Sequence, residues 1–167
     1  PRRVELLRGL DLDFEQHSLP DIDESYPEGL PLQEIPRYIA TRKAEAYYTS
    51  LHEDTLLITA DTLVFAEGEV LGKPKTQEEA AAMLHRLSGR RHYVTTGVSI
   101  RTSQHDLSFA DTAAVDFLPL SSQEIDYYVQ RYSPLDKAGA YGIQEWIGYV
   151  AISRIEGSFY TVMGLPV

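Results

Sequence analysis

The sequence predicts an α/β domain of mixed α+β character, built on a mixed sheet. Helical and strand-like segments follow each other without strict alternation, which favours a mixed sheet over a regular doubly wound one. With 167 residues, 43% of them apolar, the chain is long enough for one domain with a sizeable core. We expect a single domain over residues 1–167, with two lobes and a central cleft. Because the sequence starts without methionine and ends without a capping element, we also expect material to be missing from both ends.

The first third of the chain contains two predicted helices and one predicted strand. Arg2–Arg8 ("RRVELLR") is expected to form a short helix that ends at Gly9. Residues 12–18 are a candidate strand, and residues 20–31, rich in acid, proline and glycine, are expected to form a loop. Residues 36–50 predict a second helix, because proline is tolerated in the first helical turn.

An acid and a threonine interrupt the next apolar stretch. Residues 55–60 and 63–66 are predicted to be two strands, and Asp61 and Thr62 lie between them. A carboxylate at a strand end can bind a hard metal ion or accept a proton from water, and a hydroxyl beside it can donate or accept hydrogen bonds. The simpler interpretation is a break between strands in which Asp61 serves as a turn or cap residue.

Two capping boxes and a strand pair follow. Residues 76–79 ("TQEE") open a predicted helix that ends at Gly89, and residues 121–124 ("SSQE") open another. Between them, residues 92–101 and Asp106–Phe117 predict a hairpin-like pair of strands.

The C-terminal part is predicted to be strand and loop. Residues 139–144 and 149–155 are strand candidates that pair as a hairpin, and the last residues, 157–167, are expected to form a loop.

Composition excludes several classes of function. There is no cysteine, so a disulfide framework, thiolate catalysis and a cysteine-ligated zinc site are excluded, and a reducing cytoplasm is the expected location. The net charge of −10 disfavours binding to nucleic-acid polymers, although basic residues can still converge on a small phosphate ligand. No apolar run reaches membrane-spanning length.

Basic residues at three places are candidates for a phosphate site. Lys73 precedes a helix start, where free amides favour anions, but Pro74 stands where a P-loop needs Ser or Thr. Arg2 and Arg3 sit in a first helical turn, which is unfavourable for the helix dipole unless an anion lies nearby. Lys43 shares a helix face with apolar residues. For each of them, a solvated surface charge is the simpler interpretation.

Glu24 and Gln144 complete the set of candidates. Glu24, in the acidic loop, is placed to share a metal ion with Asp61, although a lone loop glutamate is usually just solvated. Gln144 ends "DKAGAYGIQ", whose small residues let a ligand approach the backbone; the alternative is a glycine-weakened strand. The five histidines show no metal-ligand spacing.

Taken together, these segments resemble the Maf family of nucleotide pyrophosphatases. The resemblance rests on "PRRVELL", "ITADTLVF", "GEVLGKP", "LSGRRHYVTTGV", "DKAGAYGIQ" and "IEGSFYTVMGLPV", which occur in the family's order over almost the whole chain. It implies a fold similar to the inosine-triphosphatase type and cleavage of a nucleoside triphosphate between the α and β phosphates. The products would be a monophosphate and pyrophosphate, a divalent cation (Mg²⁺ or Mn²⁺) would assist, and the role would be house-cleaning of modified nucleotides.

The resemblance also implies roles for single residues. The proton acceptor falls on Asp61, which with Glu24 would hold the metal ion. The residues that influence base selection are Arg2, Thr62 and Gln144. The residues that line the phosphate site are Arg3, Lys43 and Lys73.

The base-selection residues are similar to those of the branch that acts on dTTP and UTP. Glu145 departs from the family, where glycine is commoner, and this puts access near Gln144 in doubt. Two other functions stay open. One is a non-catalytic nucleotide-binding regulator of septum formation or cell division, and the other is a purine cleaner of the inosine-triphosphatase type. A homodimer is the family's habit.

Overall fold

The computed structural model describes residues 2–18, 22–48 and 52–167. The strands in this part of the chain are Leu57–Ala66 (β1), Glu69–Leu71 (β2), Arg91–Arg101 (β3), Asp106–Phe117 (β4) and Ile152–Glu156 (β5). The α-helices are Arg2–Arg8 (α1), Ile35–Tyr48 (α2), Gln77–Leu87 (α3), Ser122–Tyr132 (α4), Trp146–Ala151 (α5) and Phe159–Met163 (α6). Two 3-10 turns cover Leu32–Glu34 and Ala138–Ala140.

The five strands form one sheet in the order β2-β1-β3-β4-β5. Every pairing among the described residues is antiparallel, so the mixed sheet expected from the sequence is not observed in this part of the chain. For two of the four pairings the physical reason lies in the connections: β1–β2 and β3–β4 are joined by loops of a few residues, and short loops join only antiparallel neighbours. The combination of helices with one sheet confirms the predicted fold class.

Strand β1 is continuous, so the prediction of two strands broken at Asp61 and Thr62 is wrong. Asp61 pairs with Gly97 and Thr62 with Thr96, in the middle of an unbroken register. The polar side chains are tolerated because each has a polar partner there, as does Thr59, which donates to the Ala40 carbonyl oxygen at 2.6 Å.

The hairpin and the two helix starts are confirmed. Strands β3 and β4 are paired along their full length, from Arg91 opposite Asp116 to Arg101 opposite Asp106. Helix α3 begins with the Thr76 hydroxyl accepting from a backbone amide. Helix α4 begins with a complete capping box. The helix predicted for Arg2–Arg8 is confirmed as well.

Helices α2 and α6 cover opposite faces of the sheet. Neighbouring residues on a strand point to opposite sides. Thr96 donates to the Thr161 carbonyl oxygen of α6, whereas a Cβ built on Gly97 would lie 2.1 Å from Arg37 N of α2. Helix α2 therefore packs against bare backbone at Gly97, and only glycine allows this approach.

One apolar core joins the sheet to α3 and α4. Its fully buried members include Leu84, Val115, Ile125 and Ile147. In the part of the chain that the structure describes, no helix has the length and apolar content needed to cross a membrane.

Two N-terminal predictions change. Residues 12–18 are exposed and irregular, because no strand among the described residues pairs with them and a single strand gains no ladder hydrogen bonds. The second helix begins at Ile35 and is described to Tyr48, and the last two residues predicted for it, 49–50, lie outside the described residues. The predicted loop is irregular where it is described.

The C-terminal predictions are wrong in three places. Residues 139–144 form no strand, because Gly139 and Ala140 adopt positive φ values of 67° and 60° that break an extended backbone. The strand predicted for 149–155 is replaced by helix α5 and the shorter β5, which pairs with β4. The predicted loop contains helix α6, capped by the Ser158 hydroxyl.

Candidate active site

Lys43 joins two carboxylates at the centre of the site. Its Nζ lies 2.8 Å from Asp61 Oδ1 and 2.8 Å from Glu24 Oε1. The side chains of Lys43 and Asp61 are only 18% and 12% exposed, so this pair is largely screened from water, whereas Glu24 is half exposed. Helix α2 supplies Lys43 and strand β1 supplies Asp61, so the contact depends on the packing of α2 on the sheet.

Asp61 has a second oxygen without a partner. Within the described residues, its Oδ2 is buried and makes no hydrogen bond. A buried acceptor without a donor is costly unless it serves a ligand, a proton or a cation. Across the same residues, no three His, Cys, Asp or Glu side chains converge on one point. Mg²⁺ commonly takes only one or two carboxylates together with substrate phosphates, so Asp61 and Glu24 fit such an ion.

The charges around Glu24 show which cations share its surroundings. Partial burial acts to raise its pKa, but the hydrogen bond from Lys43 and the charges of Lys43, Lys73 and Arg3 together hold the pKa below its ordinary value. Lys73 itself is exposed. The structure thus brings Lys73 into the field of Glu24, and the described residues include no direct ion pair between the two.

Arg3 contacts the strand residue next to Asp61. Its Nη2 donates to Thr62 Oγ1 at 3.2 Å and its Nε donates to the Gly164 carbonyl oxygen at 2.8 Å. Burial lowers the pKa of the guanidinium, and the negative charges of Asp61 and Glu24 oppose that change. Arg3 is therefore a desolvated cation within reach of both carboxylates.

A series of hydroxyl groups continues from Thr62. Thr62 Oγ1 lies 2.8 Å from Thr96 Oγ1, and Thr96 Oγ1 donates to the Thr161 carbonyl oxygen at 2.8 Å. The Thr161 hydroxyl in turn donates to Asp111 Oδ2. Thr96 and Thr161 are fully buried, so these hydrogen bonds are shielded from water.

Asp61 and Thr62 project to opposite faces of the sheet. Asp61 meets Lys43 on the α2 side, whereas Thr62 meets Thr96 and Arg3 on the α6 side. The sequence places the two residues side by side, but their side chains do not share a face of the sheet. The two groups are connected instead through Arg3, which donates to Thr62 and whose pKa responds to Asp61.

Gln144 lies in a turn held by its neighbour. Glu145 accepts a hydrogen bond from the Tyr128 hydroxyl and forms an ion pair with Lys137 at 3.2 Å. The Tyr128 oxygen also accepts from Gly142 N at 3.0 Å. The unusual acid at 145 therefore anchors the turn that carries Gln144.

Arg2 lies close enough to the residues before this turn for its charge to act on Asp136. The hydrogen bond from Lys137 lowers the pKa of Asp136, and the positive charge of Arg2 acts in the same direction. Among the described residues no hydrogen bond joins Arg2 or Thr62 to Gln144, which is half-buried. The predicted phosphate residues thus converge around Lys43, and the base-selection residues form two separate groups.

Sequence reasoning missed several members of the site. It assigned no role to Thr96, Thr161, Gly164 or Tyr128, although three of them lie in stretches that carry the family resemblance. Gly164 had a detectable signal, a glycine directly after the apolar residues Val162 and Met163; in the structure it adopts a φ of +118°, and a Cβ there would lie 3.4 Å from Thr62 Oγ1. Glycine is therefore required by the backbone conformation, while a Cβ would be in ordinary contact with the Thr62 hydroxyl.

Comparison with known proteins gives consistent matches. The family model described as Maf-like protein matches residues 1–167. A dTTP/UTP pyrophosphatase of Porphyromonas gingivalis is 58% identical over 169 residues, which cover 100% of this chain and 85% of that protein. Proteins of the same name from Parabacteroides distasonis and Bacteroides thetaiotaomicron are 56% and 53% identical, each over 100% of this chain and 86% of the relative.

Proposed function

Since this chain belongs to the Maf-like protein family, we propose that it is a nucleoside triphosphate pyrophosphatase that acts on dTTP and UTP. It hydrolyses the bond between the α and β phosphates and releases a monophosphate and pyrophosphate. The observation that carries the proposal is the Lys43 contact with Asp61 and Glu24, found in a chain whose relatives at 50–58% identity carry this activity in their names. House-cleaning of modified pyrimidine nucleotides is the role we propose for it.

Asp61 is the proton acceptor in this proposal. The Lys43 ammonium group holds Oδ1, so the carboxylate is oriented and its charge is stabilised. Its buried Oδ2 remains available to take a proton from the attacking water. Because the pair is mostly shielded from solvent, the carboxylate is presented in one orientation.

The cations of the site stabilise the phosphates. Lys43, Lys73 and Arg3 all act on Glu24, so their positive charges share one region. Charge on the triphosphate and on the departing pyrophosphate would be offset there, which is the main contribution that proteins make to phosphoryl transfer.

A divalent cation is part of the proposal. Asp61 and Glu24 would hold Mg²⁺ or Mn²⁺, which suit carboxylate oxygens, and the unpartnered Asp61 Oδ2 has a second lone pair for the ion beside the one that takes the proton. When bound, the ion would supply positive charge that offsets the charge of the phosphates. Lys43 would then have to share the carboxylates with the ion, and its flexible stem allows this.

The test is pyrophosphate release from a panel of dTTP, UTP, CTP and ITP, each with Mg²⁺, with Mn²⁺ or with chelator. We expect turnover of dTTP and UTP that requires the metal ion. Binding of dTTP without turnover would contradict the proposal and favour a nucleotide-binding regulator. Faster turnover of ITP than of dTTP would contradict the pyrimidine preference.

Location and assembly are proposals of the same kind. We place the enzyme in the cytoplasm, where its nucleotide substrates are, and the lack of cysteine is compatible with that compartment. A net charge of −10 disfavours contact with nucleic-acid polymers. We also propose a homodimer, which light scattering tests by measuring the molecular mass of the purified protein.

A further inference from the structure

The hydroxyl series beyond Thr62 has a fixed direction of proton donation. A threonine hydroxyl carries one hydrogen and two lone pairs. Thr96 Oγ1 lies 2.8 Å from two oxygens, the Thr161 carbonyl oxygen and Thr62 Oγ1. Because a carbonyl oxygen only accepts, the single hydrogen of Thr96 is used on Thr161. The contact with Thr62 can then be a hydrogen bond only if Thr62 is the donor.

The reverse arrangement is unfavourable. If Thr96 donated to Thr62, its oxygen would face the Thr161 carbonyl oxygen at 2.8 Å with lone pairs on both sides. Thr96 and Thr161 are fully buried, so water cannot relieve that contact. The Thr161 hydroxyl is also committed, because it donates to the carboxylate of Asp111.

The other neighbour of Thr62 leads to the same conclusion. Arg3 can only donate, and its Nη2 occupies one lone pair of Thr62 Oγ1 at 3.2 Å. Thr62 therefore has its hydrogen committed to Thr96, one lone pair committed to Arg3 and one lone pair left. Since Thr62 is only half-buried, this last lone pair is open to a ligand.

We propose that Thr96 is a specificity-determining residue, which makes Thr62 a hydrogen-bond acceptor and so selects a base with an N–H donor. Uracil and thymine carry a hydrogen on N3, whereas N3 of cytosine carries a lone pair. An acceptor that cannot turn its hydrogen outward pairs with the first two bases and repels the third. The inference rests on the proposed function, because it assigns the selection of UTP and dTTP over CTP to a residue that does not touch the substrate.

Substitution of Thr96 provides the first test. Thr96→Val keeps the shape but removes the acceptor, so the Thr62 hydrogen is free to rotate toward the ligand. We expect the ratio of kcat/KM for UTP to kcat/KM for CTP to fall by about tenfold, the size of one hydrogen bond. Thr96→Ser restores the hydroxyl and should restore the ratio.

Thr95→Val is the matched control. Thr95 is the adjacent, fully buried threonine, and its hydroxyl lies 2.8 Å from Thr112 Oγ1, away from Thr62. The substitution also removes one buried hydrogen bond between two threonine hydroxyls, but one that does not involve Thr62. It should therefore leave the ratio of kcat/KM for UTP to kcat/KM for CTP unchanged. A ratio that is unchanged in Thr96→Val, or equally reduced in Thr95→Val, would overturn the proposal.

A measurement on the unmodified enzyme covers the case in which Thr96→Val does not fold. In N3-methyluridine triphosphate, a methyl group replaces the N3 hydrogen, so the donor is lost while both carbonyl oxygens of the base are kept. We expect kcat/KM to be at least about tenfold lower for this analogue than for UTP. Equal kcat/KM values for the analogue and for UTP would overturn the proposal that the enzyme recognises N3–H. If the enzyme turned over neither UTP nor dTTP, the proposed function itself would be the statement that failed.

Discussion

The Lys43 ammonium group lies 2.8 Å from Asp61 Oδ1 and is one of the least exposed charges in the site. It comes from the middle of α2, 18 residues before its partner in the sequence. The same nitrogen contacts Glu24 at 2.8 Å, so one cation controls both carboxylates that the proposed reaction uses.

Removing the Asp61 carboxylate tests the proton acceptor. Asp61→Asn keeps the size of the side chain but cannot take a proton, so we expect pyrophosphate release from dTTP to fall by about 10²–10⁴-fold. Asp106→Asn is the control, because Asp106 also lies on a strand of this sheet but pairs with Arg101 at the end of the hairpin. If Asp61→Asn retains wild-type turnover with an unchanged circular dichroism spectrum, Asp61 is not the acceptor.

Lys43 and Lys73 should differ in their effect on stability. Lys43→Met leaves the mostly buried Asp61 without a counter-charge, so we expect a loss of about 3 kcal/mol in the free energy of unfolding as well as lower activity. Lys73 is exposed, so Lys73→Met should change stability by less than about 0.5 kcal/mol while still lowering kcat/KM. Urea denaturation and pyrophosphate assays separate the two. Equal losses of stability would contradict this distinction.

The packing of α2 on the sheet depends on Gly97. A Cβ at this position would lie 2.1 Å from Arg37 N, so Gly97→Ala must push α2 away from β3, and Lys43 with it. We expect a destabilisation of about 3 kcal/mol in urea and a loss of activity. Gly72→Ala is the control, because a Cβ there would meet nothing within 4 Å. A Gly97→Ala protein as stable as Gly72→Ala would show that α2 is not in this position.

Tyr128 is expected to support the Gln144 turn. Tyr128→Phe removes the hydroxyl that donates to Glu145 and accepts from Gly142 N, and each partner is left unsatisfied. We expect a stability loss of about 1–3 kcal/mol and a rise in KM larger than the fall in kcat. Tyr132→Phe, whose ring stacks on Tyr128 at 5.1 Å, is the control and should change neither. If KM is the same in both variants, the network does not position the turn.

His92 should make the fold sensitive to mild acid. Burial lowers the pKa of its imidazole from 6.5 to about 4. Between these values the unfolded chain binds a proton that the folded chain does not, so stability is complete above pH 6.5 and is lost as the pH falls toward 4. The loss attributable to this group amounts to about 3 kcal/mol.

The measurement is urea denaturation at several values between pH 4 and pH 7. His92→Gln should flatten the dependence, because the variant has no group that titrates at this position. Acidic groups such as Glu24 also contribute at the low end, since their pKa is lowered, and they are common to both proteins. Parallel curves for wild type and variant would exclude His92 as the cause.

Local signals predicted the elements that depend on few residues. The caps at Thr76 and Ser121 start helices where expected, because a cap is formed within one turn. Strand Asp106–Phe117 was predicted for a similar reason, because a short loop sets its register with β3.

Predictions failed where a segment depends on distant partners. Residues 139–144 have a strand-like composition, but their backbone is bent by positive φ values at Gly139 and Ala140, and the amide of Gly139 donates to the Gly72 carbonyl oxygen at 3.1 Å. Nothing local distinguishes such a segment from a strand. The strand break predicted at Asp61 was wrong because the carboxylate is compensated inside the strand by Lys43, which lies on a different element, α2.

By itself, the sequence determined the family, the capped starts of α3 and α4, the hairpin and part of the candidate site, because motifs and caps are read over short stretches. The tertiary structure decided that β1 runs unbroken through Asp61, that Asp61 and Thr62 face opposite sides of the sheet, and that Thr96 directs the Thr62 hydroxyl. The direction of a hydrogen bond depends on every partner of a group at once. Those partners, on α1, β3 and α6, meet only after folding.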